Sequence, residues 1–413
     1  MTTTVDEESE HARAVRAEAV AFLETHARRR ESVQDAMSNL TRSDPSPEAE
    51  AVHVQGCRDW QRTLYDGGWA GIAWPKEYGG RGETVADARI FAQEEAKFAI
   101  ETGAFAVAIG MVGPTIIAHG TEEQKARFLP AMLDGSEIWC QLFSEPGAGS
   151  DLASLGTRAE RDGDEYIVNG QKVWTSGAQY SDWAILLVRT NVDVPKHRGI
   201  TYLLVDMRTE GIEVRPLRQA TGLAHFNEVF LSDVRIPVAN VLGPIDGGWA
   251  VTHTTLINER NLISGGLGSV NFDSFLDLAR AFDRTDDPVI RQELARSYTR
   301  FQILAWLGQR ARARAMQGLP PGPESSVAKL AVSQRVGLDG DLVLRLEGAD
   351  GMLSGASAHA GGAWQTYFLN QWSTRIGGGT EQIQRNIMGE RVLGLPGELR
   401  TDKDRPFRDV PKN

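Results

Sequence analysis

Gln141-Leu-Phe-Ser-Glu-Pro-Gly-Ala-Gly-Ser-Asp151, followed after a strand-forming stretch by Val173-Trp-Thr-Ser-Gly177, decides how this chain is read. Gly147 and Gly149 carry no Cβ, so the backbone there can approach a flat ligand closely. Ser144 and Ser176 offer hydroxyls to a polar rim, and Trp174 offers a flat apolar cover. A ring with a hydrogen-bonding edge and apolar faces, as in a flavin, suits this bed.

Outward from that core, the period of the sequence changes twice. Between 137 and 245 it is that of strands, with stretches expected at Asp182 to Arg189, Gly199 to Met207, Ile212 to Leu217 and Phe226 to Ile236. Asn169-Gly170, between β-forming residues, predicts a hairpin turn because both positions tolerate positive φ. On either side the period is helical: Ala14 to Ala27 and Ala86 to Phe98 before it, and Trp249 to Ser264, Phe272 to Phe282, Pro288 to Met316 and Ser325 to Glu347 after it. Thr41 to Pro47 and Gly318 to Pro323 read as connections, and the glycine- and aromatic-rich run Gly68 to Gly80 as either an inter-helix turn packed on the core or a direct contact with ligand. The fold class expected is α+β multidomain. An N-terminal α-helical domain (1–136), a middle antiparallel sheet or barrel (137–245) and a four-helix-type C-terminal α domain (246–413) follow in order.

The composition of these 413 residues, 41% hydrophobic and 24% charged, is that of a soluble globular protein with a sizeable core. A net charge of -11 argues against nucleic-acid or anionic-membrane partners. The longest apolar stretch, Ala104 to Ala118, contains Pro114 and is too short for a bilayer, so a buried helix or helix pair is expected there. The N-terminus is acidic where a secretory signal is basic and then apolar. With Cys57 and Cys140 as the only cysteines, this leads to an expectation of cytoplasmic location and structural thiols. The eight histidines show no metal-ligand spacing, and no metal is expected.

Near the C-terminus, Arg375-Ile-Gly-Gly-Gly-Thr-Glu-Gln-Ile-Gln-Arg385 opens a helix behind three glycines, leaving backbone N–H groups for a polarised oxygen. Together with the two segments quoted first, this string resembles the acyl-CoA dehydrogenase family over nearly the whole chain. The resemblance implies FAD as cofactor, an acyl-CoA thioester as substrate and a trans-2-enoyl-CoA product. It also implies an electron-transferring flavoprotein as acceptor and a homodimer or homotetramer, with a heteromer left open. The cofactor-binding residues it implies are Gln141, Phe143, Ser144, Gly149, Ser150, Trp174, Thr175, Ser176, Thr380 and Gln382. Ser150, Arg260 and Gly379 are implied on the substrate side.

The chain departs from the commonest family pattern at the catalytic glutamate, whose position before the Gly-Thr pair is taken by Gly378. Removal of an α-proton needs a carboxylate near the thioester. Glu259, in Thr254-Thr-Leu-Ile-Asn-Glu-Arg-Asn-Leu-Ile263, shares a helical face with Leu256, Leu262 and Ile263, where desolvation raises a carboxyl pKa. It coincides with the alternative base position of the family's isovaleryl and long-chain branches. Gly378 keeps a backbone N–H suited to the thioester oxyanion.

The nucleotide end of the cofactor is less legible. Gly147-x-Gly149-x-x-Leu152 lacks the third glycine of a dinucleotide fingerprint. Gly348, in Arg345-Leu-Glu-Gly-Ala-Asp-Gly351, and Arg284 are what remain of the family's cross-subunit pyrophosphate elements. Two other readings follow: a weakly active or structural subunit of a heteromeric acyl-CoA dehydrogenase, or a flavin oxidase or monooxygenase on the same fold.

Overall fold

The computed structural model describes residues 9–30, 46–265, 270–317, 322, 324–398 and 402–411. The N-terminal part is helical: α1 Glu10–His26, α2 Pro47–Asp66, α3 Val85–Glu95, α4 Gly113–His119 and α5 Glu122–Leu133. Capping boxes start two of them. Thr84 and Asp87 satisfy each other's backbone N–H at α3, as Thr121 and Gln124 do at α5. The run Gly68 to Gly80 is a core-packed turn, burying Trp69, Ile72 and Trp74. The apolar stretch Ala104 to Ala118 forms a π-helical turn, Ala108–Val112, running into α4, with Ala108, Met111, Val112 and Ile116 inside. Of the expected loop Thr41 to Pro47, only Ser46, which caps α2, and Pro47, its first residue, are among the described residues.

After the two-residue strands β1 Arg28–Arg29 and β2 Phe98–Ala99, the middle part forms one sheet. Its strands are β3 Trp139–Leu142, β4 Arg158–Asp162, β5 Glu165–Ser176, β6 Trp183–Arg189, β7 Ile200–Asp206, β8 Ile212–Leu217 and β9 Phe226–Pro237. The order is β3-β6-β4-β5-β9-β8, with β7 also on β6. The sheet is mixed rather than purely antiparallel, because β6 runs parallel to both β3 and β4. Ala184 to Val188 of β6 are all buried, as expected where a strand is covered on both faces.

Asn169-Gly170 is not the hairpin turn. The β4–β5 turn is Gly163-Asp164, with Gly163 at φ 60, and Asn169 lies inside β5. Asn169 and Gly170 instead sit at a bulge against β9. There Asn169 Nδ2 donates to Asp233 Oδ1 at 2.9 Å, and Asp233 N donates to Asn169 Oδ1 at 3.0 Å. Glycine is required at 170 because a Cβ would lie 2.4 Å from Thr157 Oγ1. The Asn-Gly pair signals a close backbone approach rather than chain reversal.

Helices return with α6 Gly248–Gly265, α7 Phe272–Ala281, α8 Pro288–Met316, α9 Glu324–Glu347, α10 Ala363–Ile376 and α11 Glu381–Ile387. Phe275, Leu278, Val336, Val343, Trp364 and Tyr367 make a core between α7, α9 and α10. Of the turn expected at Gly318 to Pro323, all but Gly322 lies outside the described residues.

Candidate active site

The 141–151 loop is fastened to β5 by a buried ion pair. Lys172, fully buried, donates from Nζ to Glu145 Oε1 at 2.7 Å and to Phe143 O at 3.2 Å. The other side of the Glu145 carboxylate accepts from Gly156 N at 2.6 Å, and Oε1 also accepts from Thr157 N at 2.9 Å. Burial pushes this carboxyl up, but the Lys172 charge and these donors outweigh it and hold it below the usual range. One residue on, Val173 N donates to Ser144 O at 2.9 Å, which joins the two halves of the ring bed.

Beyond that bond, β5 breaks register with β9 between Lys172 and Thr175. Trp174 occupies the irregularity with φ 63, a left-handed conformation that a bulky side chain rarely adopts. The indole is 63% exposed, touching Phe226 edge-on at a centroid distance of 6.3 Å. Ser176 is exposed, Ser144 half-buried, and a Cβ built on Gly149 meets nothing within 4 Å. An open backbone, two available hydroxyls and a presented aromatic face therefore converge here, and they fit a flavin ring. Thr175 points inward, its Oγ1 buried without a partner, and Ser150 is exposed.

Glu259 is carried by α6, which starts hard against β7: a Cβ on Gly248 would lie 2.7 Å from Tyr202 N. One turn before Glu259, Thr255 Oγ1 bonds Tyr202 OH at 3.0 Å and Thr115 Oγ1 at 3.1 Å. Thr254 bonds His119 at 2.8 Å, and Gly110 of the π-helical turn packs beneath Leu262. The face bearing Glu259 is thus pinned between β7 and α4. Gln141 Nε2 approaches Glu259 Oε2 at 3.5 Å, so the first residue of the 141–151 loop reaches that carboxylate.

Across from it lies the glycine turn after α10. Gly378 and Gly379 have φ 66 and 98, and Thr380 Oγ1 caps α11 by accepting from Ile383 N at 3.2 Å. The Gly378 N–H is the weakest of the influences that lower the Glu259 carboxyl. Burial pushes Glu259 above the usual carboxylate range, opposed by Gln141, the charges of Arg260 and Lys329, and that N–H. Arg260 is half-buried beside it, and Gln382 is exposed.

Arg284 and Gly348 meet each other instead of this region. A Cβ on Gly348, which has φ 61, would lie 3.3 Å from Arg284 Nη2. Among the described residues, no hydrogen bond links either to the 141–151 or 173–177 segments. Sequence reasoning missed three lysines: Lys172, Lys329, and Lys196, whose Nζ bridges Asp151 at 2.7 Å and Asp402 at 2.6 Å. A lone lysine in a strand or helix carries no signal of burial, so composition could not single them out. Elsewhere, His11, Glu83 and Asp87 bring one ligand atom each within 4.8 Å of one another, although Thr84 and His11 already bond Asp87. No described helix is long and apolar enough to cross a membrane.

Comparison with known proteins agrees with this geometry. The N-terminal, middle and C-terminal domains of acyl-CoA dehydrogenases match residues 9–136, 140–234 and 246–393. The chain is 39% identical to the acyl-CoA dehydrogenase IpdE1 of Mycobacterium tuberculosis over 365 residues, covering 86% of this chain and 92% of that protein. The solved steroid acyl-CoA dehydrogenase Tcur3481-Tcur3483 superposes with a TM-score of 0.81 at 28% identity, covering 95% and 99% of the two chains. The ChsE4-ChsE5 complex from Mycobacterium tuberculosis does so with a TM-score of 0.76 at 30% identity, covering 96% and 100%. With all three domains matched in order over nearly the whole chain, this chain belongs to the acyl-CoA dehydrogenase family of oxidoreductases acting on acyl-CoA.

Proposed function

We propose that the protein uses FAD to oxidise an acyl-CoA across its α,β bond to a trans-2-enoyl-CoA, with Glu259 as the base. One observation carries this: the half-buried Glu259 carboxylate is reached by Gln141 of the 141–151 loop at 3.5 Å and is influenced by the Gly378 N–H of the glycine turn. Bound flavin supplies the acceptor for the β-hydride. Ser144, Ser176 and the open backbone at Gly149 hold its polar edge, and Trp174 covers a face. Glu259 takes the α-proton onto a carboxylate oxygen, and burial fits it to that task by making it a stronger base than a solvated carboxylate. The thioester oxygen gathers negative charge as the proton leaves. The Gly378 N–H, on the turn beside Glu259, would be the donor to that oxygen.

A bulky, ring-bearing acyl group is the substrate class we favour. Position 378 has no side chain to take up space beside the acyl chain, and one structural relative is a steroid acyl-CoA dehydrogenase. For assembly, α8 exposes Tyr298, Ile303 and Trp306, and α10 exposes Trp372 and Ile376, an apolar surface suited to subunit contact. The ChsE4-ChsE5 relative is a complex of two components, which favours a heteromer with a second chain of the family that completes FAD binding beside Arg284 and Gly348.

Glu259→Gln tests the base. It is expected to retain flavin and bind acyl-CoA, yet lose about a hundredfold in anaerobic flavin reduction. Reduction at the wild-type rate would show that the base lies elsewhere. Octanoyl-CoA, cyclohexane-1-carbonyl-CoA and a steroid side-chain thioester compared in the same assay test the substrate class. Flavin content and mass of the chain purified alone test the heteromer.

A further inference from the structure

Lys329, on α9, is fully buried, and its ammonium has unusual company. Nζ donates to Ser333 Oγ at 2.7 Å and to the Thr374 carbonyl oxygen at 2.8 Å. Among the described residues it forms no ion pair within 4.0 Å. A buried charge hydrogen-bonded only to a hydroxyl and a carbonyl, with the Glu381 and Glu259 carboxylates acting on it without direct contact, is expensive, and an apolar side chain would fill the space at lower cost. Thr374 lies in the last turn of α10, where carbonyls lose their helical partners, three residues before the glycine turn begins.

Two further contacts hold the same turn. Arg375 Nε donates to Glu381 Oε1 at 2.7 Å, tying α10 to α11 across the glycines. Gln384 Nε2 donates to Gly378 O at 3.2 Å. Lys329 is the clamp on the upstream side. Three consecutive glycines cannot fix their own conformation, so these side chains decide where the Gly378 N–H points.

We propose that Lys329 is a positioning residue for proton removal by Glu259, fastening the end of α10 so that the glycine turn presents Gly378 to the base. The proposal rests on Glu259 being that base. It adds an electrostatic consequence, since the ammonium favours the ionised form of Glu259 from the α9 side. The other groups bearing on Glu259 are Arg260 on its own helix and the neutral donors of Gln141 and Gly378. Glu381 of α11 acts on Lys329, and Arg391 acts on Arg260 and His253.

The test is flavin reduction of the holoenzyme by cyclohexane-1-carbonyl-CoA, or by octanoyl-CoA if that reduces faster, followed against pH. A carboxylate base gives a rate that rises with pH as Glu259 ionises. Lys329→Met removes the favouring charge, so the acid limb moves to higher pH by about half a unit or more. The limiting rate falls about tenfold as the turn loosens, with substrate affinity changing less. Lys329→Arg keeps the charge and returns the limb towards its wild-type position. Ser333→Asp sets a carboxylate against the ammonium and moves the limb the same way as Lys329→Met, which keeps the test open if the methionine variant does not fold. Flavin-loaded Lys329→Met or Ser333→Asp enzyme with an unmoved acid limb overturns the proposal. Failure of Glu259→Gln to slow reduction overturns the base assignment itself, so the two failures are told apart.

Discussion

The Lys172 ammonium and the Glu145 carboxylate meet at 2.7 Å beneath the ring-binding loop, and Lys172 has no solvent exposure. Lys172→Met strands a carboxylate that depends on that charge. A loss of about 3–5 kcal/mol in stability is expected, together with loss of flavin. Lys172→Met with Glu145→Gln removes both charges and should recover part of the stability, because no buried ion is left unpaired. Urea denaturation and flavin content of the two variants are the measurements. A single variant as stable as wild type would mean that the pair does not hold the loop.

Trp174 separates a folding cost from a binding gain. Its left-handed φ costs a non-glycine residue about 1–2 kcal/mol, and its exposed indole returns little packing in exchange. Trp174→Gly should therefore leave the flavin-free protein as stable or up to about 1 kcal/mol more stable, while flavin affinity falls about tenfold or more. Thermal unfolding of apoprotein and flavin titration give the two readings. Destabilised apoprotein with unaltered flavin affinity would reverse the assignment.

Glu347 should make stability depend on pH. Burial, reinforced by repulsion from Asp350, raises its carboxyl to about 7. Oε2 accepts from Gln365 Nε2 at 2.7 Å, but Oε1 is buried without a partner. The folded state thus holds this proton more tightly than the unfolded chain does. The contribution to stability is complete below the ordinary carboxyl pKa near 4.5 and is lost as pH rises through about 7. Melting temperatures between pH 5 and 8 should fall in wild type and fall less in Glu347→Gln.

Gly170 tests the bulge. Gly170→Ala brings a Cβ to 2.4 Å from Thr157 Oγ1 inside the sheet and should cost about 1–3 kcal/mol in urea denaturation. Thr157→Gly in the same chain removes the atoms it strikes and should restore part of the loss. This pair also shows what the sequence could and could not disclose. Asn169-Gly170 has the letters of a turn, and only the arrival of Thr157, just before β4, turns its glycine into a spacer. Strand positions in β6 to β9 were legible because their branched and aromatic runs are local. The parallel pairing of β3 with β6 was not, because it joins residues more than forty apart.

The site divides along the same line. Ser144, Trp174 and Glu259 could be proposed from the sequence because each sits in a string whose neighbours suggest its chemistry. Lys172 and Lys329 act through partners brought by other elements, Glu145 in one case and the Thr374 carbonyl in the other. Nothing within a few residues of either lysine announces a buried charge. The Arg284–Gly348 contact was likewise hidden, since it joins the turn after α7 to the end of α9.

Gly378 sets how far the base can be moved. A carboxylate placed at 378 stands across from Glu259 and can approach the same α-carbon, so Glu259→Gly with Gly378→Glu should regain part of the reduction lost by Glu259→Gly alone. Recovery should be incomplete, because a side chain at φ 66 costs about 1 kcal/mol or more and pulls the turn from the geometry that aims its N–H. Gly378→Ala on the wild-type background isolates that cost. It should lower the reduction rate without moving the acid limb of the pH profile, since no charge near Glu259 changes. An alanine variant as fast as wild type would mean that the turn's conformation is immaterial to proton removal. The double variant would then be expected to recover the full rate, and measuring both rates on flavin-loaded protein decides between the two outcomes.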